Sequence, residues 1–191
     1  MIKAITFDLD GVYFSSESFS NFKKSLKIDN FNDNHMTQFK KGELSEDQFW
    51  NLTSQEFNLK LSKEEIFKAL ADAYTTNQDV VDTVRKVRKL GIKTCICTNN
   101  FPTRINALNR KFMFLNDFDV QVFSYQVGAI KPEAKIFQTL IEKSACQPSE
   151  IIFADDKQSN VDAALSLNIN AFLYKGFPDF LSKTKQLGVM L

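Results

Sequence analysis

The chain has 191 residues, 43% of them hydrophobic and 25% charged, a balance that suits one compact body and excludes collagen-like, coiled-coil and wholly disordered readings. Lysine plus arginine total 24 against 23 aspartate plus glutamate, so the formal charge of +1 offers no basic field for duplex nucleic acid and no acidic tail. No apolar run approaches the roughly 20 residues of a membrane-spanning helix, and the start MIKAITFDLDG lacks the basic opening and cleavage site of a secretory signal. The expectation is a cytoplasmic protein without membrane or nucleic-acid partners, of unspecified oligomeric state.

Ile2 to Phe7 is apolar and β-branched enough for a buried strand, and it runs directly into Asp8. Residues 15–76 follow with helical pieces and no convincing strand. Ser45 with Gln48 and Ser62 with Glu65 have the spacing of capping boxes, opening helices over Ser45–Phe57 and Ser62–Ala73, with Gly42 as a turn. Phe49, Trp50, Phe57 and Phe67 read as the core of this helical unit, and His35 as a lone surface histidine. Asn77 to Leu90 reads as an amphipathic helix, capped by Asn77, with Val80, Val84 and Val87 at helical spacing and Gly91 as its left-handed stop. The basic run Arg85, Lys86, Arg88, Lys89 is its solvated face.

A strand is expected at Ile92–Cys97, then polar Thr98-Asn99-Asn100 and a helix opening near Thr103. Val120–Phe123 is a third strand, and Pro132 opens a helix through Ala145, because proline fits the first helical turn. Ile151–Ala154 is a fourth strand ending at Asp155-Asp156, followed by a helix from Asn160 to Leu167 and a fifth strand, Ala171–Tyr174. Cys95, Cys97 and Cys146 read as reduced core thiols, and one histidine without a CxxC pair makes structural zinc unexpected. Strands alternating with helices predict an α/β fold: a doubly wound parallel sheet formed by residues 1–14 and 77–191, with 15–76 as a small helical insertion.

In such sheets ligands bind beyond the carboxyl ends of the strands. Asp8 and Asp10 follow strand one, Thr98 and Asn99 strand two, Lys131 lies after strand three, and Asp155 and Asp156 follow strand four. Four carboxylates brought together would repel unless neutralised, and oxygen ligands without clustered histidine or cysteine suit Mg²⁺. A carboxylate-held Mg²⁺ beside a lysine and a hydroxyl is a site for a phosphoryl group, with one carboxylate as nucleophile or activator of water. Asp10, two residues from Asp8, is placed to protonate the leaving oxygen and later to deprotonate water.

FDLDGV at 7–12, CTNN at 97–100, KPE at 131–133 and FADDKQSNV at 153–161 resemble the four motifs of the haloacid dehalogenase-like hydrolases, in that family's order and spacing. The insertion after the first motif resembles the family's helical cap, and KGELSEDQFW at 41–50 resembles a recurring stretch of it. The resemblance implies a phosphatase for a small phosphorylated metabolite, working through an aspartyl-phosphate. It makes Asp8 the nucleophile and a metal ligand, and Asp10 the general acid/base with its carbonyl on the metal. Thr98 and Asn99 become phosphoryl ligands, and Lys131 steadies Asp8 and the phosphate. Asp155 and Asp156 complete the Mg²⁺ site, with Asn160 supporting that loop. Asp10 is absent from dehalogenating members, so its presence favours phosphate esters. A sugar phosphomutase and a catalytically inactive binding member are the alternatives.

Overall fold

The computed structural model describes all 191 residues. Five strands, β1 (Ala4–Phe7), β2 (Lys93–Thr98), β3 (Val120–Phe123), β4 (Ile151–Asp155) and β5 (Asn170–Leu173), form one parallel sheet in the order β3-β2-β1-β4-β5. Ten helices accompany them: α1 (Ser18–Ser25), α2 (Asp33–Lys40), α3 (Glu46–Phe57), α4 (Lys63–Ala73), α5 (Gln78–Lys89), α6 (Pro102–Phe112), α7 (Ser124–Val127), α8 (Ala134–Ser144), α9 (Gln158–Ser166) and α10 (Phe177–Gln186). The expected strands all form, each within two residues of its expected limits.

Both faces of the sheet are covered, which is why its strands read as unbroken apolar runs. Ile5, Phe7, Ile96, Ile152 and Ala154 join one apolar cluster with α5, α6 and α10, through Val80, Val84, Ile105, Leu108 and Phe180. Ala4, Cys95, Cys97, Ile151 and Phe153 alternate with them and pack on Ile136, Phe137 and Leu140 of α8 and Ala164 of α9. The cysteines are free and buried, and burial pushes the Cys95 and Cys97 thiols up to about 12, so they remain protonated core groups.

Residues 15–76 carry α1 to α4 and no strand. The chain enters and leaves this unit through adjacent segments: Ser15 N–H donates to Thr75 O at 3.0 Å and Asn77 N–H to Tyr13 O at 2.8 Å. Both expected capping boxes are present, Ser45 with Gln48 and Ser62 with Glu65. Phe49 is fully buried in a stack with Phe39 at 4.3 Å, and Phe22, Phe31, Phe39, Phe49 and Leu70 extend the apolar cluster of the sheet instead of forming a separate one.

Two expectations need correcting. Asn77 precedes α5 but does not cap it with its side chain, whose amide donates to the Tyr174 hydroxyl at 3.4 Å. Pro132 does not open α8; Glu133 is still extended (φ −61°, ψ 134°), and the helix starts at Ala134, because residues 130–133 close a turn first, Glu133 N–H donating to Ile130 O at 2.8 Å. The short helices α1, α2, α7 and the closing α10 were not foreseen. The basic face of α5 is half exposed but not merely solvated, since Arg85 pairs with Asp117 and Arg88 with Asp119, each at 3.1 Å.

Candidate active site

Strand register sets the first positions. Phe7 lies opposite both Ile96 and Ala154, so Asp8, Cys97 and Asp155 follow abreast on three neighbouring strands. Alternation along the strands turns Asp8 and Asp155 to the face occupied by Phe153. Lys131 enters over that face, its Nζ 5.4 Å from the centre of the Phe153 ring. The ammonium donates to Asp155 Oδ2 at 2.6 Å and to Cys97 O at 2.9 Å, and it pairs with Asp8 Oδ1 at 3.1 Å. Asp8 Oδ1 also accepts from the Leu9 N–H at 2.8 Å.

Asp155 is fully buried and held on both oxygens, since its Oδ1 accepts from Lys157 N–H at 2.9 Å and from Asn160 Nδ2 at 2.8 Å. Asp156 is exposed, yet one oxygen each from Asp8, Asp155 and Asp156 lie within 4.8 Å of one another. Gly11 makes this approach feasible. Its φ is +75°, and a Cβ there would lie 2.9 Å from Asp156 Oδ2. Three hard oxygen donors, with no nitrogen or sulfur donor among them, suit a divalent cation such as Mg²⁺.

The electrostatics follow from crowding. Burial pushes the Asp8 carboxyl up to about 6; Lys131 opposes this, while Asp155 and Asp10 add to it. Burial alone would lower the Lys131 ammonium, but the charges of Asp8 and Asp155 hold it above its ordinary value. Burial and the neighbouring Asp155 also raise Asp156.

The second strand end goes beyond expectation at Asn99, whose side chain has a structural part. Its side chain is engaged in both directions with the peptide of Lys131: Nδ2 donates to Lys131 O at 2.9 Å and Oδ1 accepts from Lys131 N–H at 2.7 Å. The amide group therefore builds the lysine loop and is not free for a phosphoryl oxygen. Thr98 is buried, with its hydroxyl beside Asp8.

Asp10 also departs from expectation. Its carboxylate does not join the other three but turns to Arg104, whose Nη2 donates to Oδ2 at 2.7 Å. The anionic pit thus holds three carboxylates, and two internal cations rather than one serve the four aspartates. Arg104 lies on α6 and is 1% exposed. One signal in the sequence points to it: Arg104 shares a helical stripe with Ala107 and Leu108, where a charge is out of place unless paired. Lys40, at the end of α2, was missed entirely. Burial pulls its ammonium down to about 8, helped by the charge of Arg104, while Asp10 and Asp8 draw it up from nearby. Those aspartates pair instead with Arg104 and Lys131.

Three of the contacts that seat the helical unit come from its middle. Trp50 Nε1 donates to Thr103 Oγ1 at 3.0 Å, Lys41 pairs with Glu133 at 2.8 Å, and Gly42 lies against the Tyr125 carbonyl. A groove of about 430 Å³ between α1 and α4, lined by Asn21, Ser25, Leu61 and Lys68, lies apart from these carboxylates. No helix is long and apolar enough to cross a membrane.

Known proteins resemble this chain in sequence and in fold. The sequence pattern of the haloacid dehalogenase-like hydrolases matches residues 2–168. Mouse acyl-CoA dehydrogenase family member 10 is 33% identical over 141 residues, 70% of this chain, but the chain spans only 13% of that protein's length. A D-ribitol-5-phosphate phosphatase from Bacteroides thetaiotaomicron is 27% identical over 90% of this chain and 91% of its own. A crystal structure of a HAD family enzyme from the same bacterium, in complex with magnesium and inorganic phosphate, superposes with a TM-score of 0.78 at 23% identity, covering 92% of this chain and 95% of that one. By the extent of the family match and by its fold, the chain belongs to the haloacid dehalogenase-like hydrolases.

Proposed function

We propose that the protein is a Mg²⁺-dependent phosphatase for a small phosphorylated metabolite, working through an aspartyl-phosphate on Asp8. The observation that carries this reading is the division of labour between the first two aspartates. Asp8 is pinned by Lys131 and the Leu9 N–H, whereas Asp10 keeps Oδ1 buried and without a partner. One carboxylate is held beside Lys131 for attack, and the other is held apart from it by Arg104, with one oxygen that no protein donor occupies.

A carboxylate oxygen of Asp8 attacks phosphorus while the bond to the ester oxygen breaks. The electron pair of that bond goes to the departing oxygen, which takes the proton held by Asp10. Water then attacks phosphorus of the aspartyl-phosphate, Asp10 removes its proton, and phosphate and free Asp8 result. The Thr98 hydroxyl and the backbone N–H of Asn99 bind phosphoryl oxygens, and Lys131 balances charge at Asp8 throughout. Asp8, the carbonyl of Asp10, Asp155 and Asp156 would hold Mg²⁺, and Asp155 would do so with oxygens that also serve Lys131, Lys157 and Asn160. When bound, the ion supplies charge stabilisation for the transferring group.

Residues 15–76 act as a cap on a core of residues 1–14 and 77–191. The side-by-side entry and exit segments and the contacts of Trp50, Lys41 and Gly42 support this division. The cap brings Lys40 toward the site, where its ammonium faces the leaving group or the phosphate. The bacterial relative named as a ribitol phosphate phosphatase fits a polyol or sugar leaving group. The test is phosphate release from a panel of phosphorylated metabolites with and without Mg²⁺. Turnover that requires the ion and vanishes in both Asp8→Asn and Asp10→Asn is expected; turnover persisting in both folded variants would refute the mechanism.

A further inference from the structure

Asp10 sits in a turn beyond β1, where a carboxylate would ordinarily rotate freely, yet its two oxygens have different surroundings. Oδ2 accepts from Arg104 Nη2 at 2.7 Å, and Oδ1 is buried without a partner. Arg104 has no freedom of its own. Its Nε donates to Asn100 Oδ1 at 2.6 Å and its Nη1 to the Tyr74 hydroxyl at 2.8 Å. The guanidinium lies 4.9 Å from the centre of the Phe101 ring and 5.0 Å from that of Phe19. Asn100 is anchored in turn, its N–H donating to Ser124 Oγ at 3.0 Å and its carbonyl accepting from the same hydroxyl at 3.1 Å. A chain of fixed groups therefore runs from α7 through Arg104 to one oxygen of Asp10.

Burying a guanidinium is costly, and Asn100, Tyr74 and the two rings leave its charge unbalanced. The single carboxylate that balances it is Asp10, so one contact serves both the charge of the arginine and the orientation of the carboxylate. We propose that Arg104 is a positioning residue for proton transfer to the leaving group. By holding Oδ2 with an N–H donor it fixes the plane of the Asp10 carboxyl, so that the group meets the departing oxygen in one orientation. The proton moves from the Asp10 carboxyl to that oxygen as the phosphorus–oxygen bond breaks, and Asp10 is left as a carboxylate beside Arg104. Tyr74 and Phe19 belong to the helical insertion, so seating of that unit and aim of Asp10 are set by the same guanidinium. The inference rests on the role given to Asp10 above.

The experiment uses the Mg²⁺-loaded full chain and a series of aryl phosphates from 2,4-dinitrophenyl to phenyl phosphate, followed by kcat/KM, which reports the first transfer. Dinitrophenolate leaves without a proton, whereas phenolate needs one. Arg104→Lys is expected to lose about 30-fold on phenyl phosphate and no more than about threefold on 2,4-dinitrophenyl phosphate, as a displaced general acid should. Tyr74→Phe, which removes one hydroxyl and preserves the packing, should steepen the dependence in the same direction by about threefold to tenfold, and it carries the test if Arg104→Lys does not fold. Equal losses across the series in whichever variant folds would overturn the proposal and leave Arg104 a packing residue. Asp10→Asn separates the two readings. If it shows no leaving-group dependence, the role of Asp10 fails; if it shows one and the Arg104 and Tyr74 variants do not, this inference alone fails.

Discussion

At the scale of single residues, the site is a problem of charge compensation solved inside the protein. Lys131 is 3% exposed and bridges two buried carboxylates, one of which, Asp155, has no exposure at all. Removing the ammonium leaves Asp8 and Asp155 facing each other in a poorly solvated space, so Lys131→Met should cost about 3–5 kcal/mol of stability without added metal. Urea unfolding measures this, and a loss below about 1 kcal/mol would mean that something other than the lysine compensates the pair. These residues were legible in the sequence because each motif combines a residue type with a strand end. Arg104 was not, because its pairing with Asp10 joins positions 94 residues apart through α6, and no motif encodes that contact. The structural part of the Asn99 side chain was hidden for a related reason: its partner is the peptide of Lys131, which comes alongside only after folding.

At the scale of elements, what could be read followed the strength of the local pattern. Capping boxes are short-range and self-contained, so Ser45 and Ser62 marked α3 and α4 to the residue. By contrast, α1 and α2 are eight residues each, little more than two turns and too short to stand out by pattern, and exist through packing of Phe22, Met36 and Phe39. The turn between α2 and α3 lies directly against the backbone of α7. At Gly42 φ is +71°, and a Cβ would lie only 2.3 Å from the Tyr125 carbonyl oxygen, which is backbone and cannot step aside. Gly42→Ala should therefore lift the turn rather than compress it, costing roughly 1–3 kcal/mol. Faster hydrogen exchange over residues 39–45, with β1, β2 and β4 unchanged, is the expected signature. Uniformly faster exchange across the sheet would instead show that this turn and the core open as one unit.

At the scale of the whole molecule, the sheet order explains why distant stretches of chain meet. β1 is central, with β2 on one side and β4 on the other, so the chain reverses its direction of sheet growth beside β1 and leaves a crevice at the carboxyl ends of all three strands. Asp8, Asp155 and Asp156 gather at that crevice because the topology brings them there, and their mutual repulsion is a cost of the fold without metal. An ion that binds the folded chain and has no site on the unfolded one must stabilise it by mass action. At a Mg²⁺ concentration of about 100 times its dissociation constant, the gain should be about 2.7 kcal/mol, read as a rise in melting temperature. Asp156→Asn removes the exposed carboxylate of the three while leaving the buried pair of Asp155 and Lys131 intact. This variant should therefore melt near the wild-type temperature without metal and lose most of the Mg²⁺-dependent rise. A rise of wild-type size in Asp156→Asn would put the ion elsewhere, and the crowding of these carboxylates would then need a different explanation.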